Sequence, residues 1–155
     1  MMILIRLFSI YVTLDTNIIL LSMRSEEFKE YIYQNFLKDN TAIICVVTEG
    51  EIYSLATRNG WGERKIKLLD ELLENYIVAD IHSKDVTKMY AQIDAFSQGR
   101  LKTTQSNFSA RNMGKNDIWI AAVSTILDAI LITTDNDFDH LDPSFLKCLK
   151  VKSEL

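Results

Sequence analysis

The sequence predicts an α/β fold of three layers, in which a central parallel sheet of about four to five strands lies between two layers of helices. Two observations lead to this prediction. Short apolar runs rich in β-branched residues alternate along the chain with segments of helical periodicity. The runs are almost continuously apolar, which is typical of strands buried on both faces of a parallel sheet. Because crossover helices join parallel strands, we expect helices on both sides of that sheet.

Four runs are predicted to form strands, and helices are predicted between them. The strand runs are IYVTL at 10–14, AIICVV at 42–47, YIVADI at 76–81 and AILITT at 129–134. The helical segments are 18–22, 26–37, 51–56, 63–74, 83–96 and 117–127. In the segment 83–96, apolar residues recur at steps of three and four, which gives that helix one buried face. No repeat or linker divides the chain.

The length of 155 residues predicts a single domain spanning residues 1–155. Residues 1–10 form an apolar leading segment that contains Arg6 and is too short to span a membrane. Two cysteines, Cys45 and Cys148, are too few for a disulfide framework, so we expect a reducing, cytoplasmic location without membrane association. A net charge of −4 argues against a protein that coats nucleic acid through bulk charge.

Acidic residues follow several of the predicted strands. Asp15 comes directly after the first strand, and Asp135 and Asp137 come directly after the last. Glu51 is predicted in the first turn of the helix after the second strand, and Asp117 opens the last helix. Because ligands of open parallel sheets bind at the carboxyl ends of the strands, we expect these carboxylates to converge there. Their mutual repulsion calls for a divalent cation, and ligands that are all oxygen favour Mg²⁺ or Mn²⁺ over zinc.

Each acid also has an ordinary structural explanation when it is considered alone. Thr48 and Glu51 match a capping box, in which the two side chains satisfy N–H groups at the start of a helix. Asn116 fits an N-cap, with Asp117 behind it complementing the helix dipole. Asp15 fits a turn that leads into the next helix. These alternatives stay open at this level.

The segment LITTDNDFDHL at 131–141 also resembles the start of a calcium-binding loop. Such a loop that opens at Asp135 requires glycine at its sixth position and glutamate at its twelfth. Those positions hold His140 and Leu146, so the sequence argues against a calcium loop. Asp139, the third aspartate of this segment, is expected to be solvated rather than part of a site.

One polar segment, residues 99–116, differs from the rest of the chain because it contains no acidic residue. It carries four basic residues: Arg100, Lys102, Arg111 and Lys115. It is either a solvated connection or a cationic surface beside the acids, since it ends directly before Asp117. Phe108 in this segment is expected to be either a buried anchor or an exposed stacking surface.

Four motifs resemble those of the PIN-domain nucleases, and most closely the toxins of VapBC-type toxin–antitoxin pairs. LDTN contains Asp15, VVTEGEI contains Glu51, GKNDIWIAA contains Asp117, and ITTDNDF contains Asp135 and Asp137. The motifs occur in the family's order from about residue 11 to the end of the chain. None is specific alone, whereas the ordered set is.

The resemblance implies a PIN-like three-layer α/β/α fold and a Mg²⁺- or Mn²⁺-dependent endoribonuclease. It also implies an RNA substrate, a homodimer and a small antitoxin that inserts into the active-site groove. The catalytic residues it implies are Asp15, Glu51, Asp117 and Asp135. The metal ligands are expected to be Asp15, Asp117, Asp135 and Asp137. Side chains that support these ligands or contact a phosphate are expected to be Thr16, Asn17, Thr133 and Thr134. The basic residues Arg100, Lys102, Arg111 and Lys115 are expected to steer RNA.

Other metal-dependent α/β proteins fit the sequence less well. A phosphatase of the haloacid dehalogenase type requires a second aspartate two residues after the first, and that position holds Asn17. A response-regulator receiver expects adjacent acids early in the chain. Two alternatives within the resemblance remain: a PIN nuclease that processes RNA without an antitoxin, and a non-catalytic PIN module that binds RNA or a protein.

Overall fold

Five strands form one parallel sheet in the computed structural model, which describes residues 10–154. The strands are β1 (Tyr11–Leu14), β2 (Thr41–Cys45), β3 (Ile77–Ala79), β4 (Ile130–Thr133) and β5 (Lys147–Lys150). Their order across the sheet is β3-β2-β1-β4-β5, and every neighbouring pair is parallel. The predicted three-layer α/β/α architecture is confirmed. The predicted leading segment lies outside the described residues, apart from Ile10.

Within these described residues, six α-helices cover the two faces of the sheet. They are α1 (Thr16–Arg24), α2 (Glu26–Ile32), α3 (Val46–Arg58), α4 (Glu63–Leu73), α5 (Lys84–Ser97) and α6 (Lys115–Ile126). A π-helical turn at Tyr33–Leu37 extends α2, and a 3₁₀ turn at Asp139–Leu141 follows β4. Among residues 10–154, no helix is long and apolar enough to cross a membrane.

Alternate residues of the buried strands supply two separate hydrophobic clusters. Leu131 of β4 packs in the cluster formed with α5 and α6, whereas Ile132 packs in the cluster formed with α1, α2 and α4. Because successive side chains of a strand point to opposite faces, the two clusters lie on opposite sides of the sheet. Leu131 and Ile132 are both fully buried, as expected for a strand covered on both faces.

The central strand β1 is where the chain changes direction across the sheet. From β1 the chain continues through α1 and α2 to β2 on one side, while β4 pairs with the other side of β1 and leads on to β5. The carboxyl ends of β1 and β4 therefore flank a topological switch point, the usual position of a ligand crevice in a doubly wound sheet.

The two edges of the sheet differ from the prediction of strands buried on both faces. Ile77 of β3 is 58% exposed and Val78 is 41% exposed, because β3 pairs only with β2. The other edge, β5, was not among the four predicted runs. Its sequence KCLK is short and half polar, so it resembles a surface segment until it pairs with β4.

The boundary between β2 and α3 was also predicted wrongly. The strand ends at Cys45, and α3 begins at Val46 rather than at Glu51. Val46 and Val47 are β-branched and look like a continuation of the strand, but pairing with β3 stops where Cys45 meets Ala79. Likewise, α1 begins at Thr16, directly behind β1.

Candidate acidic site at the carboxyl ends of the strands

Asp15 lies at the switch point and joins β1 to β4. Its side chain is almost fully buried at 4% exposure. One carboxylate oxygen, Oδ1, accepts a hydrogen bond of 2.7 Å from the backbone N–H of Thr16 and so caps α1. The other, Oδ2, accepts a bond of 2.7 Å from the hydroxyl of Thr133. Burial raises the pKa of Asp15, although the hydrogen bonds from Thr133 and Thr16 offset part of the increase.

The hydroxyl of Thr133 also positions Asp135. It accepts a hydrogen bond of 2.9 Å from the backbone N–H of Asp135. Asp135 in turn accepts a bond of 3.0 Å on Oδ1 from the backbone N–H of Asp137, which forms a tight turn at the end of β4. Both acids therefore follow β4 as predicted, with Asp135 partly buried and Asp137 exposed.

Glu51 is held by donors from two other helices. Its Oε2 accepts a hydrogen bond of 2.6 Å from the hydroxyl of Thr16 at the start of α1. Its Oε1 accepts a bond of 2.7 Å from the side-chain amide of Asn116 at the start of α6. Three helices therefore meet at this one carboxylate.

The capping-box explanation of Glu51 is wrong. Because α3 begins at Val46, Glu51 lies in its second turn rather than at its start. Thr48 is fully buried, and its hydroxyl has no hydrogen-bond partner among the described residues. Neither side chain satisfies an N–H group at a helix end.

Asp117 faces the other acids from the first turn of α6. That helix begins at Lys115 with Gly114 as its N-cap, so the N-cap predicted at Asn116 is wrong. Burial raises the pKa of Asp117 to about 7, and repulsion from neighbouring carboxylates contributes to this increase. The repelling carboxylates belong to Asp15, Glu51, Asp135 and Asp137.

Gly114 leaves room for the carboxylate of Asp117. A Cβ atom added to Gly114 would lie 2.8 Å from Oδ2 of Asp117, closer than van der Waals contact allows. The backbone of Gly114 is not in the left-handed region, since its φ is −57°. The absence of a side chain at this position therefore matters for space rather than for backbone conformation.

Asp139 is separate from the acids of the site, as expected. It forms an ion pair of 2.6 Å with Lys150 of β5. Each of the two histidines has a partner outside these acids, although Nδ1 of His140 is buried without one among the described residues. Nε2 of His140 lies 2.7 Å from the hydroxyl of Ser97, and His82 pairs with Asp80 at 2.9 Å.

The five acids of the site are Asp15, Glu51, Asp117, Asp135 and Asp137. Their donor atoms are all oxygens, which suits a hard divalent cation such as Mg²⁺ or Mn²⁺. In the described part of the chain, no three acidic, histidine or cysteine side chains are already grouped closely enough to hold a metal ion. The donor set therefore fits the ion in its chemistry, and binding would require the carboxylates to be drawn together.

Three of the predicted basic residues lie in the irregular segment between α5 and α6, and the fourth, Lys115, is the first residue of α6. All four are exposed: Arg100, Lys102, Arg111 and Lys115. Phe108 anchors this segment, because its ring packs edge-on against Phe96 at 5.1 Å and against His140 at 5.0 Å between centroids. Arg111 lies over the ring of Phe108, 5.7 Å from its centroid.

The predicted supporting residues separate into two groups. Thr16 and Thr133 hydrogen-bond to acids of the site. The side chains of Asn17 and Thr134 form no hydrogen bond within residues 10–154, so their predicted phosphate contacts remain predictions. The structure adds Asn116 and Gly114, which sequence patterns had not assigned to the site. Both residues lie in the motif GKNDIWIAA, from which only Asp117 had been assigned to the site, and Asn116 had been predicted as a helix N-cap.

Comparison with known proteins identifies the family. The family model of the PIN domain matches residues 12–143. No curated protein matches the sequence. The fold is similar to that of VapBC2 from Rickettsia felis bound to a promoter DNA fragment, with a TM-score of 0.72, 19% identity and coverage of 91% of this chain and 98% of that chain. It is also similar to VapBC-1 from nontypeable Haemophilus influenzae, with a TM-score of 0.67, 24% identity and coverage of 91% and 98%.

A third structure has a similar fold. FitAcB from Neisseria gonorrhoeae has a TM-score of 0.64 at 20% identity and coverage of 90% of this chain and 96% of that chain. These identities are low, so the structures establish the shared fold. The match of the family model to most of the chain establishes more, and the chain belongs to the PIN domain family.

Proposed function

We propose that the protein is a divalent-metal-dependent endoribonuclease and the toxin of a type II toxin–antitoxin pair. The observation that carries this proposal is the placement of four other carboxylates around Asp117 at the carboxyl ends of the strands. Burial, together with repulsion from these carboxylates, raises the pKa of Asp117 to about 7. A protein gains no stability from such an arrangement, and perturbed carboxylates at a strand-end crevice are typical of active sites. A bound cation would remove the repulsion.

The residues expected to hold Mg²⁺ or Mn²⁺ are Asp15, Asp117, Asp135 and Asp137. When bound, such an ion polarises a phosphate and lowers the pKa of a coordinated water. Asp15 is fixed by Thr133 and Thr16, so it offers a rigid ligand position at the base of the site. Asp137 is exposed and supports the site from its edge.

Glu51 is proposed to orient the attacking water. Thr16 and Asn116 each donate one hydrogen bond to its carboxylate, so the side chain is held in a single orientation. Each carboxylate oxygen has a second lone pair that is able to accept a hydrogen bond from water. A fixed acceptor beside the scissile phosphate reduces the entropy lost when the water is aligned for attack.

The exposed basic segment is proposed to bring RNA to this acidic site. The whole protein carries a net charge of −4, so attraction of a polyanion has to be local. Arg100, Lys102, Arg111 and Lys115 lie in a segment without acidic residues directly before Asp117. Contacts to phosphates would give binding that weakens steeply with salt.

A small antitoxin is proposed as the protein partner, with the toxin itself a homodimer. Support for the antitoxin comes from the similar folds, since the structures from Rickettsia felis and Haemophilus influenzae are of VapBC proteins and one is bound to promoter DNA. We expect a short reading frame beside the gene, and a co-purified complex that regains nuclease activity when the partner is removed. Without such a reading frame, a solitary RNA-processing nuclease becomes the better proposal.

The test of hydrolysis is Mn²⁺-dependent cleavage of a panel of RNAs by the purified protein. Asp117→Asn should abolish cleavage, because it removes a proposed ligand without changing side-chain size. Asp139→Asn is the matched control, since Asp139 pairs with Lys150 outside the site, and it should cleave as wild type does. Cleavage equal in all three proteins would reject the proposal. RNA binding without cleavage by wild type would support a non-catalytic PIN module instead.

A further inference from the structure

An open pocket lies beside Glu51 on the exposed side of α3. Its volume is about 680 Å³. The lining residues are Thr16, Val47, Gly50, Glu51, Ser54, Leu55, Arg58 and Asn116. Three of these residues were described above: Glu51 accepts hydrogen bonds from Thr16 and Asn116. The pocket is therefore continuous with the acidic site.

The polar residues that α3 adds to this pocket form a row. Glu51, Ser54 and Arg58 are separated by three and then four residues, so they lie on one face of the helix. At the rise of an α-helix, Arg58 is about 10 Å along the axis from Glu51. The row begins at the proposed catalytic carboxylate and ends in a cation.

The side chains of Arg58 and Ser54 are available to a ligand, although the position of Arg58 in the last turn of α3 also favours the helix dipole. Both are exposed, and neither forms an ion pair or a side-chain hydrogen bond with any residue in the described range 10–154. Among the described residues that line the pocket, Arg58 is the only basic one. Its guanidinium is free to form the paired hydrogen bonds that arginine makes with phosphate oxygens.

Gly50 is unusual because it lies inside α3, directly before Glu51. Glycine is the least favourable helix residue other than proline. A Cβ atom at Gly50 would meet nothing within 4 Å, so no contact inside the protein requires glycine here. Its backbone is helical, so no special conformation requires it either. Close approach of a ligand to the helix backbone would require it.

We propose that this pocket holds the sugar–phosphate backbone of the RNA strand on one side of the cleaved bond. Arg58 pairs with a phosphate, Ser54 donates a hydrogen bond to the same strand, and Gly50 allows the strand to lie against α3. This proposal rests on the proposed ribonuclease function for its substrate. RNA is favoured over an acidic partner protein because a strand cleaved beside Glu51 has to continue past it, and the space left by Gly50 adjoins that residue.

The direct test measures RNA binding without cleavage. In the Asp117→Asn background, a short fluorescein-labelled single-stranded RNA is titrated with protein at several KCl concentrations and followed by fluorescence anisotropy. Arg58→Ala should weaken binding several-fold and reduce the slope of log K against log salt by about 0.7, the value for one phosphate contact on a single strand. Arg58→Lys should keep most of the slope. Arg24→Ala, another exposed arginine in the last turn of a helix, should change neither.

Gly50→Ala separates a binding role from a structural one. Alanine should raise the melting temperature, because it favours the helix and meets no neighbour. The same variant should bind the labelled RNA more weakly. With otherwise wild-type protein, Arg58→Ala should raise KM for RNA cleavage while kcat changes little, as expected for a residue that positions the strand.

Several results would overturn the proposal. The first is that Arg58→Ala binds RNA with unchanged affinity and salt slope. The second is that the Asp117→Asn protein itself does not bind RNA. The third is that Arg58→Ala loses only self-association. A higher melting temperature of Gly50→Ala with unchanged RNA binding would also contradict the proposal. If wild type binds RNA through Arg58 but does not cleave it, the hydrolysis proposal fails and the pocket proposal stands.

Discussion

The hydroxyl of Thr133 donates a hydrogen bond of 2.7 Å to Oδ2 of Asp15, joining two buried residues 118 positions apart in the chain. The hydroxyl oxygen of Thr133 also accepts a hydrogen bond of 2.9 Å from the backbone N–H of Asp135. One hydroxyl group therefore fixes an acid at the end of β1 relative to an acid at the end of the neighbouring β4. The positions of these two proposed ligands depend on it.

Thr133→Val should destabilise the protein and reduce cleavage. Valine keeps the shape of threonine but leaves the buried carboxylate of Asp15 without one of its two donors, which costs about 1–3 kcal/mol of unfolding free energy. The bond from Thr133 lowers the pKa of Asp15, so its loss should raise that pKa further. The stability loss should therefore increase with pH, because the charged form of Asp15 depends on this bond more than the protonated form does. Urea unfolding at two pH values checks this, and equal losses at both would contradict it.

Gly114→Ala should reduce cleavage while leaving the fold intact. The new Cβ would lie 2.8 Å from Oδ2 of Asp117, so this flexible carboxylate has to move. A displacement near 1 Å at a catalytic group reduces the rate by on the order of 100-fold. Alanine is able to adopt the backbone conformation of Gly114. Loss of a glycine N-cap lowers the free energy of unfolding by about 1 kcal/mol at most. Steady-state cleavage and thermal unfolding measure the two effects.

Gly62→Ala is the matched control for that substitution. Gly62 is the N-cap of α4, and its φ of −72° is close to the −57° of Gly114, so alanine is tolerated by the backbone at both positions. A Cβ atom at Gly62 would meet nothing within 4 Å. The two variants should therefore lose similar stability, and only Gly114→Ala should lose activity. An equal loss of activity in both would show that the space beside Asp117 is unimportant.

The two donors to Glu51 should matter for rate more than for stability. Thr16→Val and Asn116→Ala each remove one hydrogen bond that orients the carboxylate. Removal of a group that positions a site residue reduces activity by roughly 10–100-fold.

Glu51→Gln should reduce kcat strongly, whereas Glu49→Gln, in the first turn of the same helix, should not. Equal effects of the two glutamine variants would contradict the assignment of the family's glutamate to Glu51.

The placement of the acids was predictable from local sequence, because it depends only on where strands and helices begin and end. Asp15 and Asp135 follow runs whose composition already marks them as buried strands. The same reasoning misplaced the start of α3 by five residues. Glu51 still lies at the site, because α3 begins directly at the end of β2 and Glu51 is in its second turn. The predicted location of an acid near a strand end is therefore insensitive to an error of a few residues in the helix boundary.

The supporting residues were not predictable, because their roles depend on contacts between distant parts of the chain. Asn116 lies 65 positions from Glu51, and its sequence context indicated only a helix cap. Gly114 and Gly50 look alike in the sequence, although one is crowded by a carboxylate and the other faces open space. Only the packing of α1, α3 and α6 around one carboxylate distinguishes these roles.

The stability of the metal-free protein should fall with pH because of Asp117. Its pKa is about 7 in the folded protein and 3.8 as the ordinary value. A raised pKa means that the folded state holds the proton more tightly, so this stabilisation is complete below pH 3.8 and is lost as pH rises to about 7. Asp117→Asn has no such charge, so above pH 7 it should be more stable than wild type by about 1–3 kcal/mol, since partial solvation of Asp117 reduces the full effect.

Addition of Mg²⁺ or Mn²⁺ should reverse that difference above pH 7. A cation bound by the folded protein alone stabilises it in proportion to the logarithm of its concentration over the dissociation constant. The melting temperature of wild type should therefore rise with metal, while that of Asp117→Asn should rise much less because a proposed ligand is missing. Asp139→Asn, outside the site, should respond as wild type does. Thermal unfolding with and without EDTA measures this, and an equal response of all three proteins would show that metal does not bind at Asp117.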